Sequence, residues 1–331
     1  MNLVGERVLV TGATGLIGGH LVERLVSVEG VFVRGLSRQP QNARLAECGI
    51  EIVRGDVTEP ASLASAVQGC GVIFHAAGWV QEGGSRAEAW AVNVDGTKHL
   101  IDAAVAAGVK RFVHLSSSHV YGFPNAQAVD ESYTVRPCGR PYSDSKVAAE
   151  SVVFAAYREH RLPVVVARPS QVYGPRSVQF TIRPVEAIKQ GRMMLVDGGR
   201  YFCNPVFIDD LIDGLVLCAS SDPAVGEAIN LTDGVAVPWS EFFGHYGRML
   251  GVDYFRSVPY PFAWLIAWGN EIRTAAKGKR ARMNRELVRS LRARCSFSNE
   301  KARRLLGWTP RHDLGAGMKR TEAWLRAEGY L

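Results

Sequence analysis

Tyr142 and Lys146 stand four residues apart in Tyr142-Ser143-Asp144-Ser145-Lys146, at the head of a stretch patterned as a helix from Tyr142 to Glu159. At that spacing both side chains project from one helix face. A phenol with a pKa of about 10 is a poor acid–base group at neutral pH. A neighbouring ammonium favours the phenolate, so Lys146 is expected to lower the Tyr142 pKa, and it could also hold a ribose. Upstream, Leu115-Ser116-Ser117-Ser118-His119-Val120-Tyr121-Gly122 leaves the carboxyl end of a predicted strand. A serine hydroxyl there could hydrogen-bond a substrate oxygen while Tyr142 exchanges its proton. Alone, the Tyr/Lys spacing is a weak pattern. It gains meaning from what lies before it.

The predicted strand Arg7–Val10 runs into Thr11-Gly12-Ala13-Thr14-Gly15-Leu16-Ile17-Gly18, with glycines at i, i+3 and i+6. Such glycines allow a tight turn, close approach of backbone to a pyrophosphate, and close helix–strand packing. The helical stretch that follows, Ile17–Val28, would aim its N-terminal amides and positive dipole end at that anion. Strand, glycine turn and amphipathic helix in succession predict a dinucleotide site formed by Gly12, Thr14, Gly15, Leu16, Ile17 and Gly18. An acidic residue about 20 positions on would select NAD through the ribose hydroxyl. Here that place reads Leu36-Ser37-Arg38. Ser37 leaves room for a 2′-phosphate and Arg38 could pair with it, which favours NADP(H) and leaves NAD(H) open. Asp56, with Val57 beside it, follows the third strand and could accept from the adenine amino group, unless it only stabilises a turn. The small residues Ala76, Ala77 and Gly78 end the fourth strand and would admit the dinucleotide. His75, just before them, reads as a satisfied core histidine.

The elements that must position these groups alternate. Predicted strands are Arg7–Val10, Val31–Leu36, Ile50–Val53, Val72–His75, Arg111–Leu115 and Val164–Ala167, with helices between them including Glu88–Ala107. This alternation predicts an α/β fold, a doubly wound parallel sheet of Rossmann type with helices on both faces. Residues 1–175 would form the dinucleotide-binding domain, with 202–232 returning to it. Residues 176–201 and 233–331 would form a smaller, partly discontinuous cap that binds a small-molecule substrate.

The 331 residues are enough for about two domains of roughly 150 residues each. Hydrophobic residues make up 47% and charged residues 21%, which excludes a disordered or collagen-like chain. The six cysteines are scattered singly, without the spacing of a zinc or dithiol site, so no metal is expected. With no signal-peptide pattern, the expected location is cytoplasmic. The net charge of +7 is local: residues 271–294 hold nine basic side chains against Glu271 and Glu286, which accounts for the whole excess. Nucleic acid is therefore not an expected partner. An apolar run, Val258–Trp268, directly precedes this segment. Residues 258–294 admit three readings: cap core with a solvated arginine face, a peripheral contact with anionic membrane, or a clamp for a substrate phosphate.

Together the three motifs resemble the extended short-chain dehydrogenase/reductase family, with its epimerase/dehydratase and 3β-hydroxysteroid dehydrogenase/dihydroflavonol reductase branches. The likeness runs through HAAG, NVDGT at 93–97, LSSSHVYG, YSDSK, RPSQVYGP at 168–175, NPVFIDDL at 204–211 and LGWTP at 306–310. It implies Tyr142 as acid–base, Lys146 as its lysine partner and Ser117 as the catalytic hydroxyl. It places Asn93 and Pro169 at cofactor-contacting positions and makes Asp209 and Asp210 structural. It also implies a homodimer formed through the helices at 88–107 and 142–159. Two departures narrow the reading. Sugar-nucleotide dehydratases carry an Asp-Glu pair where this chain has Ser118 and His119, and nucleotide-sugar epimerases an Asn where it has Gln171. The expected activity is hydride transfer between a nicotinamide and a ketone or secondary alcohol. A 4-epimerase with tightly bound NAD is the alternative, and a non-catalytic dinucleotide sensor is a third reading.

Overall fold

The computed structural model describes residues 1–39, 41–80, 85–278, 281 and 283–331. Three of the basic residues singled out above, Lys279, Arg280 and Arg282, lie outside the described residues. Six strands of the first half are β1 (Arg7–Thr11), β2 (Phe32–Ser37), β3 (Glu51–Arg54), β4 (Val72–His75), β5 (Arg111–Leu115) and β6 (Val164–Pro169). A seventh, β11 (Ala228–Leu231), joins them from the second half, and all pair in parallel in the order β3-β2-β1-β4-β5-β6-β11. The order reverses between β1 and β4, where Thr11 and His75 lie side by side. The crevice beyond these carboxyl ends is where a sheet of this kind binds ligands.

Both faces of the sheet are covered, so its central strands β1, β4, β5 and β6 are mostly apolar on both faces, without a regular polar alternation. In β1, Val8 and Val10 enter one core with Leu21, Val22 and Leu25 of α1 (Leu16–Val26). Leu9 points to the other core. That second core is formed with α3 (Leu63–Val67), α5 (Gly96–Ala106) and α6 (Pro141–His160). The short α2 (Ala43–Glu47) follows β2.

The helix expected over Glu88–Ala107 is interrupted. It begins as α4 (Arg86–Trp90), capped by Ser85 and Glu88, passes through a π turn at 91–95, and resumes as α5. Gly96 fits the break because a β-carbon there would lie 2.8 Å from Val57. The widened turn brings Asn93 inward, into full burial.

In the second half, three two-stranded ladders pair β7 (Gln171–Tyr173) with β10 (Pro205–Phe207), β9 (Phe202–Cys203) with β12 (Val237–Pro238), and β8 (Met194–Val196) with β13 (Arg256–Val258). Helices α7 (Arg183–Lys189), α9 (Trp239–Met249), α10 (Tyr260–Ala275) and α11 (Arg285–Ser290) pack around them. Helix α8 (Ile208–Ser220) lies against α1 and the sheet. The last helices, α12 (Glu300–Leu306) and α13 (Leu314–Ala327), pack on α8 with β11 and on β10, respectively. Asp210 fixes this end: its carboxylate accepts from the amides of Arg311 and His312, and its carbonyl from Trp308 Nε1 at 2.9 Å. Among the described residues no helix is long and apolar enough to cross a membrane.

Candidate active site

The glycine turn folds against the end of β4. Gly12 has φ +65°, and a β-carbon on it would lie 2.7 Å from the backbone of Ala76 and Ala77. Gly18 packs so closely on the Gly12 carbonyl that a β-carbon would collide with it. Helix α1 opens with Gly15 as its N-cap, with neither a capping side chain nor an acidic residue in its first turn. Its first amides therefore face the crevice without a side-chain acceptor, as an anion site needs. Thr14 is exposed at the tip, while Leu16 and Ile17 are half-buried.

On the far side, Ser37 ends β2 and is tied into a turn, its hydroxyl donating to the Gln39 carbonyl at 2.7 Å. Arg38 is exposed, with Nε 3.9 Å from Asp56 Oδ2. The other oxygen of Asp56 accepts from the Thr58 amide and hydroxyl, both at 2.9 Å. The two residues weighed separately in the sequence thus lie together, and Asp56 is half committed to its turn. Val57 is buried beneath Gly96.

His75 is a structural histidine with a full hydrogen-bond chain. The Ala77 amide donates to Thr11 Oγ1, which lies 2.8 Å from His75 Nδ1, while Nε2 lies 2.9 Å from Thr97 Oγ1, itself donating to the Asn93 carbonyl. With both hydroxyls so directed, the chain assigns the ring proton to Nε2 and leaves Nδ1 as acceptor. Burial, with the Lys146 charge, lowers the His75 pKa to about 3, so the ring is neutral. Asn93 is equally occupied. It pairs with the amide and carbonyl of Trp79 and donates to Ser145 Oγ at 2.9 Å, clamping the loop after β4 to α6. Gly78 lies between Asn93 and Lys146: a β-carbon there would meet Asn93 Oδ1 at 3.3 Å and Lys146 Nζ at 3.4 Å. Pro169 closes β6 beside Leu231.

Ser117, Tyr142 and Lys146 converge at the carboxyl ends of β4 and β5. Lys146 is buried, with Nζ donating to the Leu115 carbonyl at 2.7 Å. Burial lowers its pKa to about 8, against a smaller opposing effect of Glu150. Tyr142 departs from the expectation set by its sequence. Its pKa is raised by burial, and the group that opposes the rise is the Ser117 hydroxyl, not the Lys146 ammonium. The ammonium is turned to a backbone carbonyl and is itself weakened by desolvation. His119 packs edge-on to Tyr142, centroids 5.5 Å apart, and is held neutral with a pKa of about 4 by burial and by Arg140.

One positioning network was not anticipated from the sequence. Arg168, buried at the end of β6, donates to both carboxylate oxygens of buried Glu150 on α6 at 2.9 and 2.6 Å. Its remaining nitrogen donates to Tyr121 Oη at 2.8 Å, and Tyr121 donates to Asn230 on β11. Glu150 is one turn beyond Lys146, so this pair fixes the helix that carries Tyr142 and Lys146 to the sheet. The signal available was the shared face of Lys146 and Glu150 at i, i+4.

With the geometry in place, residues 8–232 match the model of the NAD dependent epimerase/dehydratase family. The chain belongs to that family. Its members are NAD(P)-dependent enzymes of the extended short-chain dehydrogenase/reductase class. The chain is similar to a 4-hydroxy-2-methyl-3-oxo-4-farnesyl-3,4-dihydroquinoline-1-oxide ketoreductase of Stigmatella aurantiaca, 32% identical over 313 residues and covering 92% of each chain. It is also similar to a 3β-hydroxysteroid dehydrogenase/Δ5→4-isomerase of Mycobacterium tuberculosis, 33% identical over 71% of this chain and 67% of that one. Among solved structures, the dTDP-glucose 4,6-dehydratase DesIV of Streptomyces venezuelae, with NAD bound, superimposes with a TM-score of 0.80 at 27% identity over 97% of each chain.

The family's dinucleotide fits the residues present. Gly12 and Gly18 let the turn close on the backbone of β4 and on its own carbonyl, where a β-carbon would collide, and α1 so placed offers its amides to a pyrophosphate. The hydroxyls of Ser116, Ser118 and Ser170, at the ends of β5 and β6, are buried without a protein partner. Gly12, Gly15 and the first turn of α1 would hold the phosphates, Arg38 and Asp56 the adenosine, and Lys146 the nicotinamide ribose.

Proposed function

We propose that the protein is an NADP(H)-dependent oxidoreductase acting on a ketone or secondary alcohol. The observation that carries this reading is the pairing of Tyr142 with Ser117 in a site whose next two positions are Ser118 and a neutral His119. The nicotinamide, when bound, supplies or accepts hydride. Ser117 would orient the substrate oxygen. Tyr142, kept protonated by burial, would donate its proton to the oxygen as the carbonyl is reduced and take it back in the reverse direction. Lys146, charged below its pKa of about 8, would hold the ribose, and the Ser117 hydroxyl would stabilise the phenolate left behind. At the two positions after Ser117, Ser118 and a neutral His119 stand where dehydration would need an acid–base pair. Gln171 accepts from the Asn204 amide at 3.0 Å and so serves the scaffold, which counts against epimerisation. The cofactor preference rests on Arg38 and on β2 ending in Ser37 without a carboxylate. The names of the two relatives, a farnesylated quinoline oxide ketoreductase and a steroid dehydrogenase, support a large apolar substrate.

The test is a screen of ketones and alcohols with NADPH and NADH, using wild type, Tyr142→Phe and Arg38→Ala. Tyr142→Phe should lower kcat by about 10²–10⁴ while leaving dinucleotide affinity unchanged. Arg38→Ala should raise KM for NADPH about tenfold and leave that for NADH within twofold. Retained kcat in the first variant, or an NADH preference in the wild type, refutes the corresponding assignment. Copurified cofactor with interconversion of sugar nucleotides and no net redox change would establish the epimerase instead.

A further inference from the structure

Helix α10 packs Ala263 and Ala267 inward with Tyr260 and Trp264 beside them, and turns five other large apolar residues outward. Ala263 and Ala267 are fully buried against Val196 and Val288. Phe262, Leu265, Ile266, Trp268 and Ile272 are 62%, 51%, 47%, 45% and 55% exposed. At 3.6 residues per turn these five share one side of the helix over about 15 Å, with Gly269 between them. An ordinary surface helix is the other way round, with its apolar stripe inward and its polar face in water. Single exposed apolar residues need no explanation, but a contiguous strip of this size marks a contact.

The chemistry around the strip selects the occupant. Arg273 continues the same side at the C-terminal end, and Lys277 follows one turn later, both exposed. The nearest carboxylate, Glu271, is turned away and bonded to Arg285 at 2.7 Å. The strip itself carries no hydroxyl or amide side chain that could be satisfied by a protein partner. Large aliphatic and aromatic side chains ending in cations, on a helix of 16 residues and about 24 Å, suit an element lying flat in a lipid interface and too short to span one. We propose that α10 docks the protein on an anionic lipid surface, its apolar side entering the headgroup boundary and Arg273 and Lys277 meeting the lipid phosphates.

The placement has a consequence for the site. The opposite side of α10, through Glu271, Thr274 and Ala275, lines a cavity of about 590 Å³. Gly139 and Arg140, the residues just before the helix of Tyr142, line it too. Docking through α10 would set this cavity, which Arg285, Glu286 and Arg289 also line, near the membrane surface. The docking itself does not depend on which oxygen compound is reduced.

Co-sedimentation with extruded vesicles tests it, comparing phosphatidylcholine alone with phosphatidylcholine carrying 30% phosphatidylglycerol, at low salt and at 0.5 M NaCl. The full chain should bind the anionic vesicles and release in salt. Replacing Leu265, Ile266 and Ile272 together by Gln should reduce partitioning at least tenfold, with an unchanged melting temperature and unchanged dinucleotide affinity. Arg273→Ala and Lys277→Ala should each cost about fivefold. Absence of binding at low salt, or full binding by the triple variant, overturns the proposal. So does a wild type that ignores vesicles but is a dimer in light scattering that the triple variant dissociates, since α10 would then be a subunit interface.

Discussion

Replacing Glu150 by Gln keeps the shape of the side chain and removes its charge. In the native protein Arg168 and Glu150 are each about 5% exposed and share two short hydrogen bonds. The variant leaves Arg168 as an uncompensated guanidinium with few water contacts, and the new amide presents N–H groups to one of its donors. Breaking a buried ion pair in this way costs about 3–5 kcal/mol. The third bond of Arg168, to Tyr121, survives, so the lower end of that range applies, about 3 kcal/mol. At roughly 2–4 °C per kcal/mol for domains of comparable size, the melting temperature should fall by about 6–12 °C.

The same substitution should reach Lys146. Burial lowers the Lys146 pKa to about 8 and Glu150 opposes the shift. Without that carboxylate the ammonium loses its proton at lower pH. If Lys146 must be charged for turnover, the alkaline limb of kcat/KM against pH should therefore move down in the variant. A merely structural pair would lower stability and leave the limb in place. The double variant Arg168→Met with Glu150→Leu should recover more than half of the lost stability, because no buried charge then lacks a partner. Circular dichroism melts and pH–rate profiles on the three proteins decide the matter. A melting temperature within about 2 °C of wild type, or an unmoved alkaline limb, would show that the pair does not do what its geometry implies.

Lys146→Met should abolish most turnover yet melt higher at pH 7. The folded pKa of about 8 lies below the ordinary 10.5, so the unfolded chain binds more protons between these values and wild-type stability rises with pH across that window. At about 1.4 kcal/mol per pKa unit, less about 1 for the bond to Leu115, the variant should gain about 2 kcal/mol below pH 8 and lose that advantage above pH 10. A variant that melts lower at both pH values contradicts this. His75 and His114 sit side by side on β4 and β5, ring centroids 5.4 Å apart, and should respond oppositely to the same change. His75→Leu leaves the Thr11 hydroxyl proton without its acceptor and Thr97 without one donor, and should cost about 2 kcal/mol, whereas His114, with neither ring nitrogen bonded, should accept Leu with a change within about 1 kcal/mol. Urea midpoints shifted equally in both variants would refute the distinction.

Much of this was legible in the chain. The bounds of β4 and β5 coincide with Val72–His75 and Arg111–Leu115, because short β-branched and aromatic runs between turn residues mark buried strands locally. β2 and β3 lie one residue later than expected, at Phe32–Ser37 and Glu51–Arg54, where pairing decided the boundary. The break between α4 and α5 was invisible, since a π turn inserts a residue without changing composition. The Tyr142 phenol was misjudged because spacing along a helix shows which groups are neighbours but not where a long side chain points. Lys146 points to the Leu115 carbonyl, and burial of the phenol is opposed by the Ser117 hydroxyl instead. Arg168 and Glu150 are separated by 18 residues, and their pairing exists only once α6 lies on β6.

These corrections bear on the chemistry. Burial pushes the pKa of His75, His114 and His119 down, so none of these rings carries a proton to give near neutral pH. Burial pushes the Tyr142 phenol the other way and keeps its proton in place. Desolvation thus separates the two kinds of group: the imidazoles are left as neutral packing and the phenol as a proton donor, with Lys146 charged beneath them at physiological pH. This arrangement suits the proposed reduction, in which a single carbonyl takes up one hydride and one proton. It follows that His119, although in ring contact with Tyr142, cannot substitute for it. Any activity remaining in Tyr142→Phe should therefore show no rise as the pH falls toward 5, because a ring with a pKa of about 4 is still mostly unprotonated there.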